Sequence, residues 1–202
     1  MTKPPQMRLQ LAESAFDLFS VRGFQNVNLD EIAENAGVTK GSLYWHYKSK
    51  NELILAACSH YYRVWRQEAF AEIAEDSNPL SQLERVLRMS VQKCLFDEKN
   101  RQFTSELFAM SLQDDEIRAS WAQFYASVRD LYVELVQAAI DAGLADVENP
   151  RQNVDWMLSA LEGIKQRAAF EPEICGTEQW DSYTQGLLQL ALGHAASVLA
   201  GT

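Results

Sequence analysis

The stretch that decides the fold is residues 28–50, which read NLDEIAENAGVTKGSLYWHYKSK. Two short helical segments lie on either side of Gly37. Asn28 stands three residues before Glu31, the spacing of a capping box that opens the first helix, and Thr39 can cap the second. Because glycine adopts positive φ without steric cost, Gly37 permits a tight turn between the two helices. The stretch therefore predicts a helix-turn-helix.

The second helix of this pair carries the features of a surface that reads DNA. Its N-terminal residues are small or hydrogen-bonding, so nothing bulky keeps the backbone away from base edges in the major groove: Thr39, Lys40, Gly41 and Ser42. Tyr44, Trp45 and His46 follow and can contact phosphates and thymine methyl groups. Lys50 lies in the first turn of the next helix, where backbone N–H groups and a cation converge on one phosphate.

The distribution of charge changes what the net charge implies. The 202 residues hold 18 Lys plus Arg and 28 Asp plus Glu, and the resulting −10 alone would count against nucleic acid. Residues 1–56 are neutral, with six cations and six acids, whereas the remainder holds 12 cations and 22 acids. Three lysines and no acid lie between Asn35 and Asn51. An acidic body should therefore confine DNA to this neutral head, and binding should be strongly salt-sensitive.

Apolar periodicity predicts helices along the rest of the chain. One helix ends at Gly23 and buries the stripe Leu9, Ala12, Phe16 and Phe19. Ser49 opens a longer helix towards Ala74, and Asn-Pro pairs open helices at positions 78–79 and 149–150. Further helices are expected over residues 114–142, 151–170 and 178–199, with a loop over 171–177. No alternating strand is found, so the prediction is an all-α chain of about nine helices.

Several classes of protein and site are not expected. No apolar run approaches the roughly 18 to 20 residues of a membrane span, and the N-terminus has no signal-peptide core. Cys58, Cys94 and Cys175 are odd in number and widely spaced, which favours a reducing, cytoplasmic location over a disulfide framework. Motifs typical of metalloproteases, hydrolases and nucleotide-binding enzymes are absent. We expect a protein that is not an enzyme and holds no metal or cofactor.

Residues 32–50, IAENAGVTKGSLYWHYKSK, followed by Leu53, resemble the DNA-binding signature of the TetR family of bacterial transcriptional repressors. Phe16, Phe19, Gly23 and Phe24 are similar to the first helix of that family. The resemblance covers about the first 56 residues. It implies a helix-turn-helix DNA-binding domain over residues 1–50, a linking helix over about 50–74, and a ligand-binding and dimerisation bundle within residues 51–202.

The resemblance also implies partners and residue roles. The partners are double-stranded DNA with a palindromic operator, a second copy of the chain and an unknown small-molecule effector, with no membrane partner. Base-facing roles fall on Thr39, Lys40, Gly41, Ser42 and Tyr44. Phosphate contacts fall on Asn28, Trp45, His46 and Lys50. Asn28 stands where the family usually has threonine, which makes its phosphate contact the least secure of these roles.

The C-terminal part carries no family signature but is rich in aromatic residues. Plain core packing is the more common role for each of them, yet together they fit the walls of a largely apolar pocket: Tyr61, Trp65, Phe96, Phe103, Phe108, Trp121 and Trp156. The polar anchors expected for such a ligand site are Tyr125, Arg129, Glu162 and Gln166. A small, largely apolar effector is therefore predicted.

The last two helices are the candidates for dimerisation. Ala160 and Gly163 would let helices approach closely, and the final helix is apolar over more than one face: Leu187, Leu188, Leu190, Ala191, Leu192, Ala195, Val198 and Leu199. A helix apolar over so wide an arc needs burial beyond the core of its own domain. A four-helix interface between two chains would supply it, and the alternative is a central helix of a monomeric bundle.

Three functions stay open on the sequence alone. The first is a dimeric, ligand-responsive repressor, with activation as a variant of it. The second is an architectural DNA-binding protein without an effector, which predicts a filled C-terminal core. The third is a protein-interaction module that has lost DNA binding, which the acidic charge favours and the intact Gly37, Tyr44 and Lys50 oppose.

Overall fold

The computed structural model describes residues 4–193, and this range contains nine α-helices and no strand. The helices are α1 (Pro4–Arg22), α2 (Leu29–Asn35), α3 (Lys40–His46), α4 (Lys50–Ala74), α5 (Pro79–Val91), α6 (Glu98–Ser111), α7 (Asp115–Asp141), α8 (Pro150–Arg167) and α9 (Trp180–Leu192). The predicted all-α fold is confirmed. Within the described range, none of these helices is both long and apolar enough to cross a membrane.

Side-chain caps explain where several helices begin. The side-chain oxygen of Asn78 accepts hydrogen bonds from the backbone of Leu80 and Ser81, and that of Asn149 accepts one from Gln152. A proline follows each cap, as the sequence predicted. Helix α7 also agrees with the predicted span to within one residue at each end.

The C-terminal boundaries differ from the prediction. Helix α8 ends at Arg167, and the predicted loop after it contains the short 3-10 turns Pro172–Cys175 and Thr177–Gln179. Helix α9 is described only to Leu192. Three residues predicted for the dimer interface therefore lie outside the described residues: Ala195, Val198 and Leu199.

The chain forms two compact units. The first runs to Arg66 and includes Gln102–Ala122, and the second comprises Gln67–Arg101 and the chain from Gln123 onward. Residues 102–122 thus belong with the N-terminal helices, which a sequence boundary at residue 50 did not predict. The functional division at that residue stays a prediction.

The first unit is held together by apolar side chains from each of its N-terminal helices. Leu11, Phe19, Ile32, Leu43 and Leu53 are all fully buried. Helix α1 buries the stripe Leu11, Ala12, Ala15 and Phe19, whereas Leu9 is 50% exposed. The predicted inward position of Leu9 was wrong, because the buried face of α1 runs through Leu11, which lies about 200° around the helix from Leu9.

The second unit has its own core, built from α5, α7, α8 and α9. Fully buried residues include Leu83 and Leu87 on α5, Val136 on α7 and Met157 on α8. Tyr132 of α7 is also fully buried, and its hydroxyl donates to Ser90 Oγ at 2.8 Å. Because this hydroxyl is hydrogen-bonded, its burial is compatible with a close-packed interior.

Candidate nucleic-acid interface

The turn between α2 and α3 has the geometry that Gly37 predicts. Gly37 has φ +65°, and its N–H donates to Glu34 O at 2.9 Å. The next N–H, of Val38, donates to Ala33 O at 2.9 Å, which closes the end of α2. Thr39 then caps α3 by accepting a hydrogen bond from the backbone of Ser42. The two helices therefore form the predicted helix-turn-helix.

Helix α1 braces α2 through polar contacts as well as apolar ones. Ile32 and Ala33 of α2 are buried, and Ser14 Oγ donates to Ile32 O at 3.0 Å. Gln10 Nε2 donates to Ala36 O at 2.7 Å, at the C-terminal end of α2. The position of α2 is thus fixed by its backbone as well as by its buried side chains.

Helix α3 presents to solvent most of the residues predicted to contact DNA. Leu43 is its fully buried anchor, whereas Tyr44 and Trp45 are 45% and 67% exposed. Thr39, Lys40 and Gly41 are also exposed, and Ser42 is half-buried. Within the described residues, a Cβ built at Gly41 would meet only Thr39 Oγ1, at 3.9 Å, so close packing does not require glycine there.

Lys40 is paired with an acid of the preceding helix. Its Nζ lies 2.5 Å from Asp30 Oδ2, and both side chains are well exposed. The hydrogen bond that Asp30 accepts raises the pKa of Lys40. The cation at the N-terminal end of α3 is therefore held in a defined direction rather than extending freely.

A cleft of about 410 Å³ brings together three residues predicted to contact DNA. It is lined by Gln25, Asn26, Val27, Asn28, Leu29, Asp30, Tyr44 and Lys50. Asn28 caps α2: its Oδ1 accepts from Glu31 N, and its own N–H donates to Glu31 Oε2 at 2.8 Å. Among residues 4–193, Asn28 Nδ2 has no hydrogen-bond acceptor and Lys50 forms no ion pair, so both can donate to an anion.

Two further cations near α3 were not predicted as site residues. Arg8 of α1 lies over the Tyr47 ring at 4.7 Å, and Lys48 Nζ donates to the carbonyl of Tyr44 at 2.5 Å. Burial, together with these two cations, lowers the pKa of His46. Arg8 lies far upstream of the turn at Gly37, and no spacing rule for the helix-turn-helix could have indicated it.

Residues 11–57 match the sequence profile of the bacterial regulatory proteins of the TetR family. Residues 11–57 form a TetR-family DNA-binding domain. The matched range contains all of α2 and α3 and the beginning of α4, so the helix-turn-helix is the DNA-binding element of a TetR-family transcriptional regulator. Because such regulators are not enzymes, the prediction that the chain is not an enzyme is confirmed.

Similarity to individual TetR-family proteins extends beyond the helix-turn-helix. The regulator TtgR of Pseudomonas putida is 28% identical over 138 residues, which cover 68% of this chain and 66% of TtgR. A putative TetR-family regulator from Rhodococcus sp. has a TM-score of 0.78 at 22% identity, covering 94% of this chain and all of the other. A putative regulator from Saccharomonospora viridis, in complex with choline, has a TM-score of 0.79 at 16% identity, covering 94% and 97%. The two solved structures share the fold of this chain over nearly all of its length.

The residues predicted to line a ligand site are divided between the two units. Tyr61, Trp65, Phe103, Phe108 and Trp121 lie in the first unit. Phe96, Tyr125, Arg129, Trp156, Glu162 and Gln166 lie in the second. Trp156 is 61% exposed and lines an open depression on α8 together with Arg151 and Asp155. Arg129 forms an ion pair with Asp155.

Three of the predicted polar anchors do meet, around a buried charge pair that the sequence analysis missed. Glu162 accepts hydrogen bonds from Tyr125 and from Gln166 Nε2, and it pairs with Lys165 Nζ at 2.8 Å. Lys165 is 2% exposed. Burial opposes ionisation of Glu162, but Lys165 and the hydrogen-bond donors outweigh it and lower the pKa of Glu162. A Glu and a Lys three residues apart usually form a surface pair, so their spacing did not indicate this burial.

The predicted dimer residues fall into buried and exposed groups. Leu187, Ala191 and Leu192 are buried. Leu188 is half-buried, and Leu190 is 41% exposed. On α8, Ala160 is half-buried and Gly163 is exposed, with no described atom within 4 Å of a Cβ built on it. Trp156, Ala160 and Gly163 are spaced four and three residues apart and so share one face of α8.

Proposed function

We propose that the chain is a homodimeric transcriptional repressor that binds a palindromic operator and is released from it by a small, largely apolar effector. The observation that supports DNA recognition best is the cleft lined by Asn28, Tyr44 and Lys50, next to the exposed N-terminal end of α3. The cleft combines hydrogen-bond donors and a cation. It lies beside a helix whose N-terminal side chains are small enough for the helix to enter the major groove.

The residues divide into two roles in this proposal. Thr39, Lys40, Gly41, Ser42 and Tyr44 face base edges, with Lys40 donating to guanine acceptors. Asn28, Trp45, His46 and Lys50 contact the phosphate backbone. The imidazole of His46 donates a hydrogen bond to a phosphate, and Lys50 supplies an ionic contact on this flank.

The proposed dimer uses α8 and α9. The exposed face of Trp156, Ala160 and Gly163 on α8, together with Leu188 and Leu190 on α9, supplies apolar area and a site of close approach. Two such pairs of helices make a four-helix interface. A dimer with two-fold symmetry requires half-sites about 34 to 36 Å apart, one turn of DNA, or a multiple of that spacing.

The proposed effector binds in the C-terminal bundle. The aromatic residues there supply apolar walls, and Tyr125, Arg129, Glu162 and Gln166 supply polar anchors. The complex of the Saccharomonospora viridis protein with choline supports a small-molecule ligand for a chain of this fold. The effector favours a conformer of the dimer in which the two helix-turn-helix domains no longer match adjacent major grooves. It acts by shifting the population between conformers that share one fold. We also propose a cytoplasmic location, because the DNA on which such a regulator acts lies there.

A selection of duplexes from a random pool, using the purified full chain, tests this function. We expect enrichment of a palindrome, bound with a steep salt dependence and with two chains per duplex by analytical ultracentrifugation. Failure to enrich any duplex would favour the protein-interaction alternative. Enrichment without a thermal shift across a broad ligand library would favour the architectural alternative, since a filled core accepts no effector.

A further inference from the structure

A carboxylate on α6, outside the helix-turn-helix, accepts a hydrogen bond from the backbone of the α1–α2 turn. Glu106 Oε2 accepts a hydrogen bond from the backbone N–H of Phe24 at 2.6 Å. Three residues earlier on α6, the Phe103 ring packs edge-on against the Phe24 ring, with centroids 5.5 Å apart. Both the backbone and the side chain of Phe24 are therefore held by α6.

Gly23 makes this approach possible. It has φ +79°, and a Cβ on it would overlap Glu106 Oε1, with Glu106 Cδ only 3.2 Å away. The chain thus carries glycine at the place where the carboxylate comes against the backbone. The Glu106 carboxylate therefore lies directly against the turn, where it also accepts the hydrogen bond from the Phe24 N–H.

Contacts within the turn connect the Phe24 backbone to Asn28. Arg22 Nη2 donates to Asn26 O at 2.7 Å, and Asn26 Nδ2 donates back to Arg22 O at 2.8 Å. Arg22 also pairs with Glu31 at 2.8 Å, and Glu31 is the partner of Asn28 in the capping box. A chain of short contacts therefore runs from the α6 carboxylate to a residue that we place at a phosphate.

The other flank of the cleft has a corresponding contact. Asn51, next to Lys50, donates from Nδ2 to Asp114 Oδ2 at 3.1 Å. Asp114 is itself fixed, because its Oδ1 accepts from the backbone of Glu116 and of Ile117 at the start of α7. The α6 helix and the segment that joins it to α7 thus hold both Phe24 and Asn51, and all of them belong to the same compact unit.

We propose that Glu106 and Asp114 are positioning residues for DNA binding, which set the separation of the phosphate-contacting residues Asn28 and Lys50 from outside the helix-turn-helix. This inference rests on the proposed DNA-binding function. It assigns a role in DNA affinity to residues far in sequence from the matched range 11–57, and neither residue touches DNA in this scheme.

Double-mutant cycles on DNA affinity test the proposal. The selected duplex is titrated by fluorescence anisotropy with full-length Glu106→Ala and Asn51→Ala, each alone and combined with Asn28→Ala or Lys50→Ala. Asn51 is substituted in place of Asp114, because Asp114 also caps α7. We expect each single variant to weaken binding about tenfold. This weakening should largely vanish for Glu106→Ala in the Asn28→Ala background and for Asn51→Ala in the Lys50→Ala background.

Three comparisons separate positioning from general stability. Glu106→Gln retains an acceptor for the Phe24 N–H and should bind DNA within about threefold of wild type. Gln102→Ala, one turn earlier on α6, is the matched control. Gln102 Nε2 donates to Val21 O over a long distance of 3.5 Å, and we expect its removal to leave DNA affinity unchanged. Asn51→Ala should also lower the slope of log affinity against log salt by about one, because Lys50 then no longer neutralises its phosphate.

Each alternative outcome has a distinct meaning. Wild-type affinity in Glu106→Ala and Asn51→Ala, or full additivity in all four cycles, would overturn the positioning role while leaving DNA binding intact. A decrease in affinity that follows the decrease in melting temperature across all variants, Gln102→Ala included, would also overturn it. A wild-type chain that enriches no duplex would overturn the proposed function and this inference together.

Discussion

The ammonium of Lys40 lies 2.5 Å from the carboxylate of Asp30, so the cation that we place at base edges is paired with an acid of the preceding helix. Both side chains are well exposed, and water and salt screen the attraction between them. A guanine edge can therefore replace Asp30 as the partner of Lys40 without a large barrier. The pair directs Lys40 without withdrawing it from DNA.

Lys40→Ala should relax base preference at one symmetric position of the operator. Because each half-site loses one specific donor, discrimination there should fall roughly 5- to 150-fold per half-site. Titrations against duplexes with single base-pair changes measure this. Asp30→Asn is the control, since it removes the acid but keeps the cation, and it should retain the preference. Equal weakening on every duplex would show that α3 is not the reading helix.

Lys50→Ala should weaken binding to all duplexes by about the same factor. Lys50 forms no ion pair within the described residues and lines the cleft beside Asn28, where we propose a phosphate contact. The slope of log affinity against log salt should fall by about one for each phosphate that is no longer neutralised. Titrations of the selected and a scrambled duplex at several salt concentrations provide the test, and an effect confined to one base pair would contradict it.

Lys165→Met should destabilise the fold strongly at neutral pH. Removing the buried ammonium leaves the Glu162 carboxylate without its charge partner, and breaking a buried pair in this way typically costs about 3 to 5 kcal/mol. Urea unfolding at pH 7 measures the free energy of unfolding. Adding Glu162→Gln should recover most of the stability, because no charge is then left buried.

The same pair has a defined pH dependence. The pKa of Glu162 is lower in the folded chain than the usual 4.5. Its contribution to stability is therefore present above about pH 4.5 and is lost as the pH falls through the lower folded value. The difference between wild type and Lys165→Met should accordingly shrink in acid. A difference that stays constant from about pH 7 to pH 3 would mean that Glu162 is not the group responsible.

The local features of the head could be predicted from sequence because their causes are local. The cap at Asn28, the turn at Gly37 and the cap at Thr39 each depend on residues within four positions, and the structure has all three. The two caps and the turn of the helix-turn-helix were therefore predictable to the residue, whereas α3 ends at His46, earlier than the expected end at Lys48 and Ser49. Contacts between distant segments were not, since Arg8 near Tyr47 and Glu106 at Phe24 follow from packing that no spacing encodes.

The burial of individual side chains could not be predicted from the sequence either. The stripe predicted for α1 included Leu9, which is half exposed, and Trp156, predicted for a ligand site, is mostly exposed on α8. Conversely, Lys165 belongs to a residue type that is usually found at the surface, yet it is almost fully buried. In each case the deciding factor is which neighbouring helix covers the position.

Gly163→Arg should weaken the proposed dimer. Gly163 shares an exposed face of α8 with Ala160 and Trp156, and an arginine there would prevent close approach of a second helix pair. Sedimentation velocity over a range of concentrations should show a shift towards the monomer. Leu112→Arg, at an exposed site in the first unit, is the control and should leave association unchanged. Unaltered association in Gly163→Arg would place the interface elsewhere.

Two glycines with the same backbone conformation separate steric contact from backbone strain. Gly23 and Gly37 both have positive φ, but a Cβ at Gly37 would meet no described atom within 4 Å, whereas one at Gly23 would overlap the Glu106 carboxylate. Alanine at either position costs about 1 to 2 kcal/mol for the left-handed conformation. We expect Gly23→Ala to lower the free energy of unfolding by clearly more than Gly37→Ala, measured by urea unfolding at pH 7. Adding Glu106→Ala to Gly23→Ala should remove the excess, because the overlap is gone while the backbone strain stays. Equal costs for the two alanines would show that the carboxylate moves aside easily, and the contact between α6 and the turn would then be too weak to position Asn28.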